Sequence, residues 1–413
     1  MNDSSGFMAT SLQTLSNFPP SLPVVALFFG SILYVVINAF IGRRARITAG
    51  GPYPPGPKGH WYVGFKDIPM KKPWLRYIEM GKHYGSDLVH FSRFGKHYLV
   101  INSLEAATEI LEKNARVTSD RPSAPLDQIA GWQKMLGLTP YSDEWRKTRR
   151  LFHQNFRAEA TSQFRPVQEK RIRKFVNDLT SSKEALIDQI STLSQTIMFN
   201  AVYGLDISTN KESMPQHARE LVEINDWVLI PGWDGFKYLP FVHLLPSWFP
   251  GGQFRASHLG IRKAIDEIVE GPWNMTMNAM KSDDSHSSLI ANLLYELQSE
   301  TDEEIDRIKN MGGQAVAAAA DTTMSAISTF FLAMSLYPNV QQKAQQELDT
   351  VLGPGKLPTF EDRASLPYVE AVYREVMRWH PAIPMGLPHV TADDVFYRGY
   401  FIPKGTSIHA NIW

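Results

Sequence analysis

The sequence predicts a mainly α-helical protein with small β-sheets and one N-terminal transmembrane helix, on three observations. Thr301-Asp302-Glu303-Glu304 is a capping-box start, and Tyr337-Pro338 is a stop, because proline lacks the N–H a continuing helix needs. The 36 residues from Asp302 to Tyr337 form one helix about 54 Å long, enough to cross a domain. Most other stretches carry helical patterning, and strand signals are confined to short clusters around 88–101 and 395–410. Finally, Leu22 to Ile41 is a run of 20 residues in which only Ser31 and Asn38 are clearly polar.

Composition narrows the function classes. With 413 residues and 43% hydrophobic content the chain can bury a large core. Forty-two Lys and Arg balance 42 Asp and Glu, so no global field draws in nucleic acid, which is not expected as a partner. There is no cysteine, which removes disulfides, thiolate catalysis and cysteine-ligated metals from these residues.

Arg43, Arg44 and Arg46 follow the apolar run at once. The positive-inside rule therefore puts residues 1–21 in the lumen, 22–42 across the membrane and the rest in the cytoplasm. A cleaved signal peptide fits poorly, since no positive charge precedes the run. Residues 43–60 read as a basic and Pro-rich hinge, with Gly50-Gly51-Pro52-Tyr53-Pro54-Pro55-Gly56-Pro57 too rich in breakers for helix.

Residues 61–413 make up one domain. Leu88 to Phe94 and His97 to Ile101 flank Gly95-Lys96 as a hairpin, and Ser103 caps a short helix to about Lys113. From Tyr141 to about Asn177 the pattern is helical and basic, with Trp145 and Arg149 on one face. That pair is either a core anchor beside a solvated basic face or a grip for a carboxylate. Helical patterns continue over Leu186 to Tyr203, Met214 to Leu229 and about His258 to Lys281. The aromatic loop around Trp248 and Phe249 is read as buried or dipping into a membrane interface, and Ser282 to Ser288 as a polar loop. Pro338 and Pro367 open two more helices, the second carrying Glu375 and Arg378 at i, i+3. Val395 to Ile402 and Thr406 to Ala410 read as strands.

The run Gly312-Gly313-Gln314-Ala315-Val316-Ala317-Ala318-Ala319-Ala320-Asp321-Thr322-Thr323 has two readings. Small residues mark a close helix crossing, with threonines bonded back to the helix; or they clear space for something flat, with polar groups beside it.

In this order the features resemble the cytochrome P-450 family of haem-thiolate monooxygenases, most like fungal members working in secondary metabolism. Pro54-Pro55-Gly56-Pro57 is similar to the family hinge, Trp145 and Arg149 to its WxxxR helix, and Ala318 to Thr323 to its (A/G)GxDT(T/S) segment, with Ala319 in place of glycine. Glu375 and Arg378 match ExxR, and His389 occupies a position where the family often has Arg or His. The resemblance implies haem b held by Trp145, Arg149, His389, Ala318, Ala319 and Thr322. It further implies a proton relay through Asp321 and Thr322, and a structural role for the Glu375–Arg378 pair. It also implies an apolar small-molecule substrate, a membrane location in the endoplasmic reticulum and an NADPH-dependent flavoprotein reductase as partner.

The same resemblance sets one expectation against the rest. The meander and the FxxGxRxCxG loop with the cysteine that ligates iron are not among these residues, so the domain is expected to lack them. The chain as written is then expected to be catalytically incompetent, and the alternative is a non-enzymatic, membrane-anchored remnant that binds a hydrophobic ligand or partner. Apolar surface on the central helix is expected to be exposed. Candidate pocket residues lie in 121–139, 227–233, 315–320 and after Pro381, and their character points to a largely apolar ligand.

Overall fold

The computed structural model describes residues 22–207, 230–232, 235–239, 242–245, 252–282, 288–297 and 301–413. The expected lumenal segment, the helix over 214–229, the Trp248–Phe249 loop, residues 227 and 233, and most of the 282–288 loop lie outside the described residues.

The principal helices among the described residues are α1 (Leu22–Ala49), α2 (Pro73–Tyr84), α3 (Pro125–Ala130), α4 (Asp143–Phe156), α5 (Arg165–Ser181), α6 (Leu186–Tyr203), α7 (Gly252–Ser282), α8 (Leu289–Glu296), α9 (Asp302–Leu336), α10 (Pro338–Leu352) and α11 (Pro367–Trp379). Strands β1 (Leu88–Arg93), β2 (Lys96–Ile101), β3 (His389–Val390) and β6 (Ser407–Ala410) form one sheet in the order β1-β2-β6-β3. A two-stranded hairpin of β4 (Val395–Tyr397) and β5 (Tyr400–Ile402) is a second sheet, and its Val395, Tyr397 and Ile402 pack with Leu88, Leu99 and Ile408 of the first.

Helix α1 covers the predicted span and continues through all three arginines to Ala49, so the basic part of the expected hinge is helical. No Gly or Pro falls between Arg43 and Ala49, and Gly50, with a φ of 75°, ends the helix. One stripe of α1 rests on the domain: Ser31 Oγ lies 2.8 Å from Tyr62 Oη, and Tyr53 Oη donates to Gly42 O at 3.0 Å. Among the described residues helix α9 is the one long and apolar enough to cross a membrane, but it packs against α4, α6, α7, α8 and α11 inside the domain.

The β1–β2 turn falls on Phe94-Gly95, one residue earlier than expected, with φ of 45° and 78° that match the twist of a tight hairpin. The expected basic helix over 141–177 is two helices. Arg157 turns to extended geometry, a short helical turn over Ala160–Phe164 follows, and Pro166 suits the first turn of α5. Ser103 caps its helix by accepting from Ala106 N at 3.1 Å, and the helix then widens to π pitch over Thr108–Lys113.

The core surrounds α9. Ile308, Met311, Ala315 and Val316 pack with Phe199, Val202 and Tyr203 of α6, Trp273 of α7 and Leu289 and Ile290 of α8. Gly312 and Gly313 make this possible: a Cβ on Gly312 would sit 2.6 Å from Tyr203 Oη, and one on Gly313 2.6 Å from Val269 Cγ2. Toward its C-terminal end α9 exposes Phe330, Leu332 and Leu336.

Candidate active site

The Gly312–Thr323 run serves both of its readings, on different segments. Gly312 through Val316 is a helix crossing. At Ala319 the crossing with α6 is still close enough for Ser194 Oγ to donate to Ala319 O at 3.1 Å. One residue earlier the helix turns a bare face outward: Ala318 is exposed although it lies midway along the longest helix of the core. Thr322, one turn on, shares that face, and its hydroxyl donates back to Ala318 O at 2.9 Å. Asp321 is half-buried beside it.

A second group of residues forms a cationic cluster. Ser142 caps α4 by accepting from Trp145 N at 3.0 Å, which starts the helix where Trp145 and Arg149 share a face. The Arg149 guanidinium lies over the Trp145 ring, 5.5 Å from its centroid, and the indole Nε1–H donates to Leu136 O at 3.2 Å. Arg121 donates to Pro388 O at 2.7 Å and to Leu387 O at 3.3 Å, which draws the strand β3 toward this loop. Next in that strand, His389 Nδ1 is 3.0 Å from Thr118 O; a carbonyl only accepts, so Nδ1 carries the proton.

These groups feel one another. Burial and then the Arg149 charge lower the Arg121 pKa, with Asp120 opposing. Burial and then Arg121 lower that of His389, so its imidazole is neutral at physiological pH. Among the described residues no carboxylate forms an ion pair with Arg121 or Arg149. Two guanidinium groups without ion-pair partners, a histidine and a small-residue helix face are the donor set that a flat, dianionic organic group such as haem requires. A thiolate ligand for its iron is not in the set, since the residues include no cysteine.

The remaining predicted site residues stand elsewhere. Glu375 and Arg378 form a two-point ion pair at 2.6–2.7 Å on the surface of α11, where the Arg378 hydrogen bond holds the Glu375 carboxyl below its usual range. Asp120 is not among the expected site residues, and Arg121 is expected only at the edge of the candidate pocket stretch 121–139, not in the cationic cluster. The Asp120 carboxylate accepts from Arg121 N and Tyr141 N, both at 2.8 Å, and its carbonyl accepts from Val390 N at 2.8 Å. Only the turn-forming Asp120-Arg121-Pro122 marked this hub in the sequence.

Fold and site together define a class: a large, mainly helical fold with a small-residue wall on its longest helix and a cationic cluster suited to an anionic group. The chain belongs to the cytochrome P-450 family, whose profile matches residues 54–413. It is 33% identical over 405 residues to the cytochrome P-450 monooxygenase COX2 of Coprinopsis cinerea, covering 97% of this chain and 76% of that one. It is also 33% identical over 402 residues to the cytochrome P-450 monooxygenase ple1 of Rhodocybe pseudopiperita, covering 96% and 76%. Among solved structures, a zebra fish cytochrome P-450 with abiraterone superposes with a TM-score of 0.65 at 20% identity, covering 84% of this chain and 78% of that one. The relatives are monooxygenases, and the enzyme class is oxidoreductase.

Proposed function

We propose that this chain serves a membrane-anchored haem monooxygenase that hydroxylates a largely apolar small molecule, with electrons from an NADPH-dependent flavoprotein reductase. The observation that carries the reading is the Arg121, Arg149, Trp145 and His389 cluster without a paired carboxylate. Solved relatives with abiraterone and progesterone support a small-molecule substrate. The apolar run of α1 followed by Arg43, Arg44 and Arg46 supports an anchor in the endoplasmic reticulum membrane with the domain in the cytoplasm.

When bound, haem supplies the activation of dioxygen. Arg121 and Arg149 hold its carboxylates, and Trp145 fixes Arg149 from behind. Ala318 and Ala319 leave room along α9. Thr322 Oγ1, which donates to Ala318 O, releases that carbonyl by rotating about χ1 and presents its proton to the pocket, with the Asp321 carboxylate next in the relay. Glu375 and Arg378 brace α11.

In the family the thiolate drives O–O cleavage, and no residue here supplies one. We therefore expect these 413 residues to take up haem through carboxylate and distal-face contacts without performing hydroxylation. Haemin titration of the purified chain, followed by reduction under carbon monoxide, tests both halves. Haem uptake with a Soret band unlike that of a thiolate complex is the expected result. A thiolate-type spectrum overturns the incompetence, and absence of uptake favours the non-enzymatic remnant.

A further inference from the structure

Strand β6 breaks the apolar logic of the sheet. It pairs in parallel with β2, Tyr98 opposite Ser407 and Val100 opposite His409, so these four share one face. On the other face Ile408 joins Leu99 and Ile101 in an apolar cluster. The first face places Ser407 and His409, each 2% exposed, against a small, partly open cavity that is also lined by Trp132, Asp127 and Lys237. The space holds about one or two water-sized groups.

The lining is polar, buried and incompletely satisfied. Lys237 Nζ pairs with Asp127 at 3.1 Å, so its charge is matched. His409 Nε2 is 3.1 Å from Ser407 Oγ, while its Nδ1 and the Trp132 Nε1–H have no hydrogen-bond partner. Burial, then the nearby Lys237, pushes the His409 pKa down to about 3, which keeps the ring neutral. Buried polar atoms of this kind take a partner from solvent or from a ligand. A cavity whose cation is already paired and whose histidine is neutral suits an uncharged oxygen.

We propose that this cavity is a binding subsite for the hydroxyl group of an otherwise apolar substrate, whose oxygen accepts from the Trp132 Nε1–H and which hydrogen-bonds with His409 Nδ1. The inference rests on the monooxygenase reading only in calling the ligand a substrate. It deepens that reading: the molecule offered to this enzyme is already an alcohol, so a reaction that installs the oxygen precedes this one.

The test uses the full chain in lipid nanodiscs, without haem, and follows tryptophan fluorescence during titration with 2-decalol or with decalin, which lacks only the hydroxyl. His409→Leu is expected to weaken 2-decalol about tenfold and to leave decalin unchanged. Trp132→Phe, which keeps an aromatic ring in place, is expected to weaken 2-decalol about fivefold, and it decides the matter if the His409 variant does not fold. Equal effects on both ligands, or no effect on 2-decalol, mean that the cavity holds only water and overturn the subsite. Haem uptake is measured separately, so failure of the monooxygenase reading leaves this result legible, and the reverse holds too.

Discussion

Arg307 and Glu144 meet at two points, Nε to Oε1 at 2.7 Å and Nη2 to Oε2 at 3.1 Å, and tie α9 to α4. Arg307 is i, i+3 to Glu304, yet its guanidinium reaches across to the helix that carries Trp145. The hydrogen bond from Arg307 holds Glu144 below the usual carboxylate range. Arg307 is 12% exposed and Glu144 56%, so solvent screens one end of the pair. A double-mutant cycle with Arg307→Met and Glu144→Gln, read by urea unfolding, is expected to give a coupling of about 1 kcal/mol. Additive single effects would show that the tie contributes nothing.

The glycines of the central helix offer a sharper contrast. Gly312→Ala places a methyl 2.6 Å from Tyr203 Oη and 3.0 Å from Ile290 Cδ1, an overpacking expected to destabilise by about 1–3 kcal/mol. Gly260→Ala in α7 meets nothing within 4 Å and is expected to stabilise by up to about 1 kcal/mol through helix propensity. Chemical denaturation of both variants checks the pair. Equal effects would mean that α6 does not press on α9 where the Gly312 contact says it does.

Local signals are legible in the sequence because their physics is local. Thr301 accepts from Glu304 N at 3.3 Å as the capping box requires, and Pro338 and Pro367 open α10 and α11. The parallel pairing of β2 with β6 was not legible, because residues some three hundred positions apart carry no mutual pattern until the fold brings them together. Helix α2 is not among the expected elements, although Pro73 at its start and Gly85 at its end mark it in the sequence. Within the site, Trp145 and Arg149 were legible as a helical i, i+4 pair. Arg121 was not, since its place in the cluster depends on the Leu387 and Pro388 carbonyls far along the chain.

Acid should destabilise the sheet region through its buried histidines. His90 Nε2 and His97 Nδ1 lie 2.9 Å apart, and burial is the main cause that lowers both pKa values, His97 to about 4. His409 falls to about 3. All three ordinary values are 6.5, so the unfolded chain binds more protons than the folded one below that pH. Stability is fully present above pH 6.5 and is lost as pH falls toward 4, by up to about 1.4 kcal/mol per pH unit for each proton. Urea midpoints measured between neutral and mildly acid pH should fall along this slope, and His97→Gln should flatten it. A pH-independent midpoint across that window would mean that these rings are not held neutral.

His389 couples the cationic cluster to protons in the opposite sense. Its Nδ1–H is given to Thr118 O, so the neutral ring keeps a bare lone pair at Nε2, within the field of the Arg121 charge. A carboxylate arriving there is repelled by the lone pair and attracted by a protonated ring, so binding raises a pKa that burial and Arg121 had lowered. Linkage then requires proton uptake on binding, and haemin affinity should rise as pH falls toward and below the ordinary histidine value of 6.5, by less than tenfold per pH unit for one proton. Absorbance titrations give the affinity, and a pH indicator in weak buffer gives the proton. His389→Gln, which keeps a donor to Thr118 O and cannot charge, should bind haemin with a flatter pH profile and without proton uptake. An unchanged slope in that variant would place the proton on another group and remove His389 from the carboxylate site.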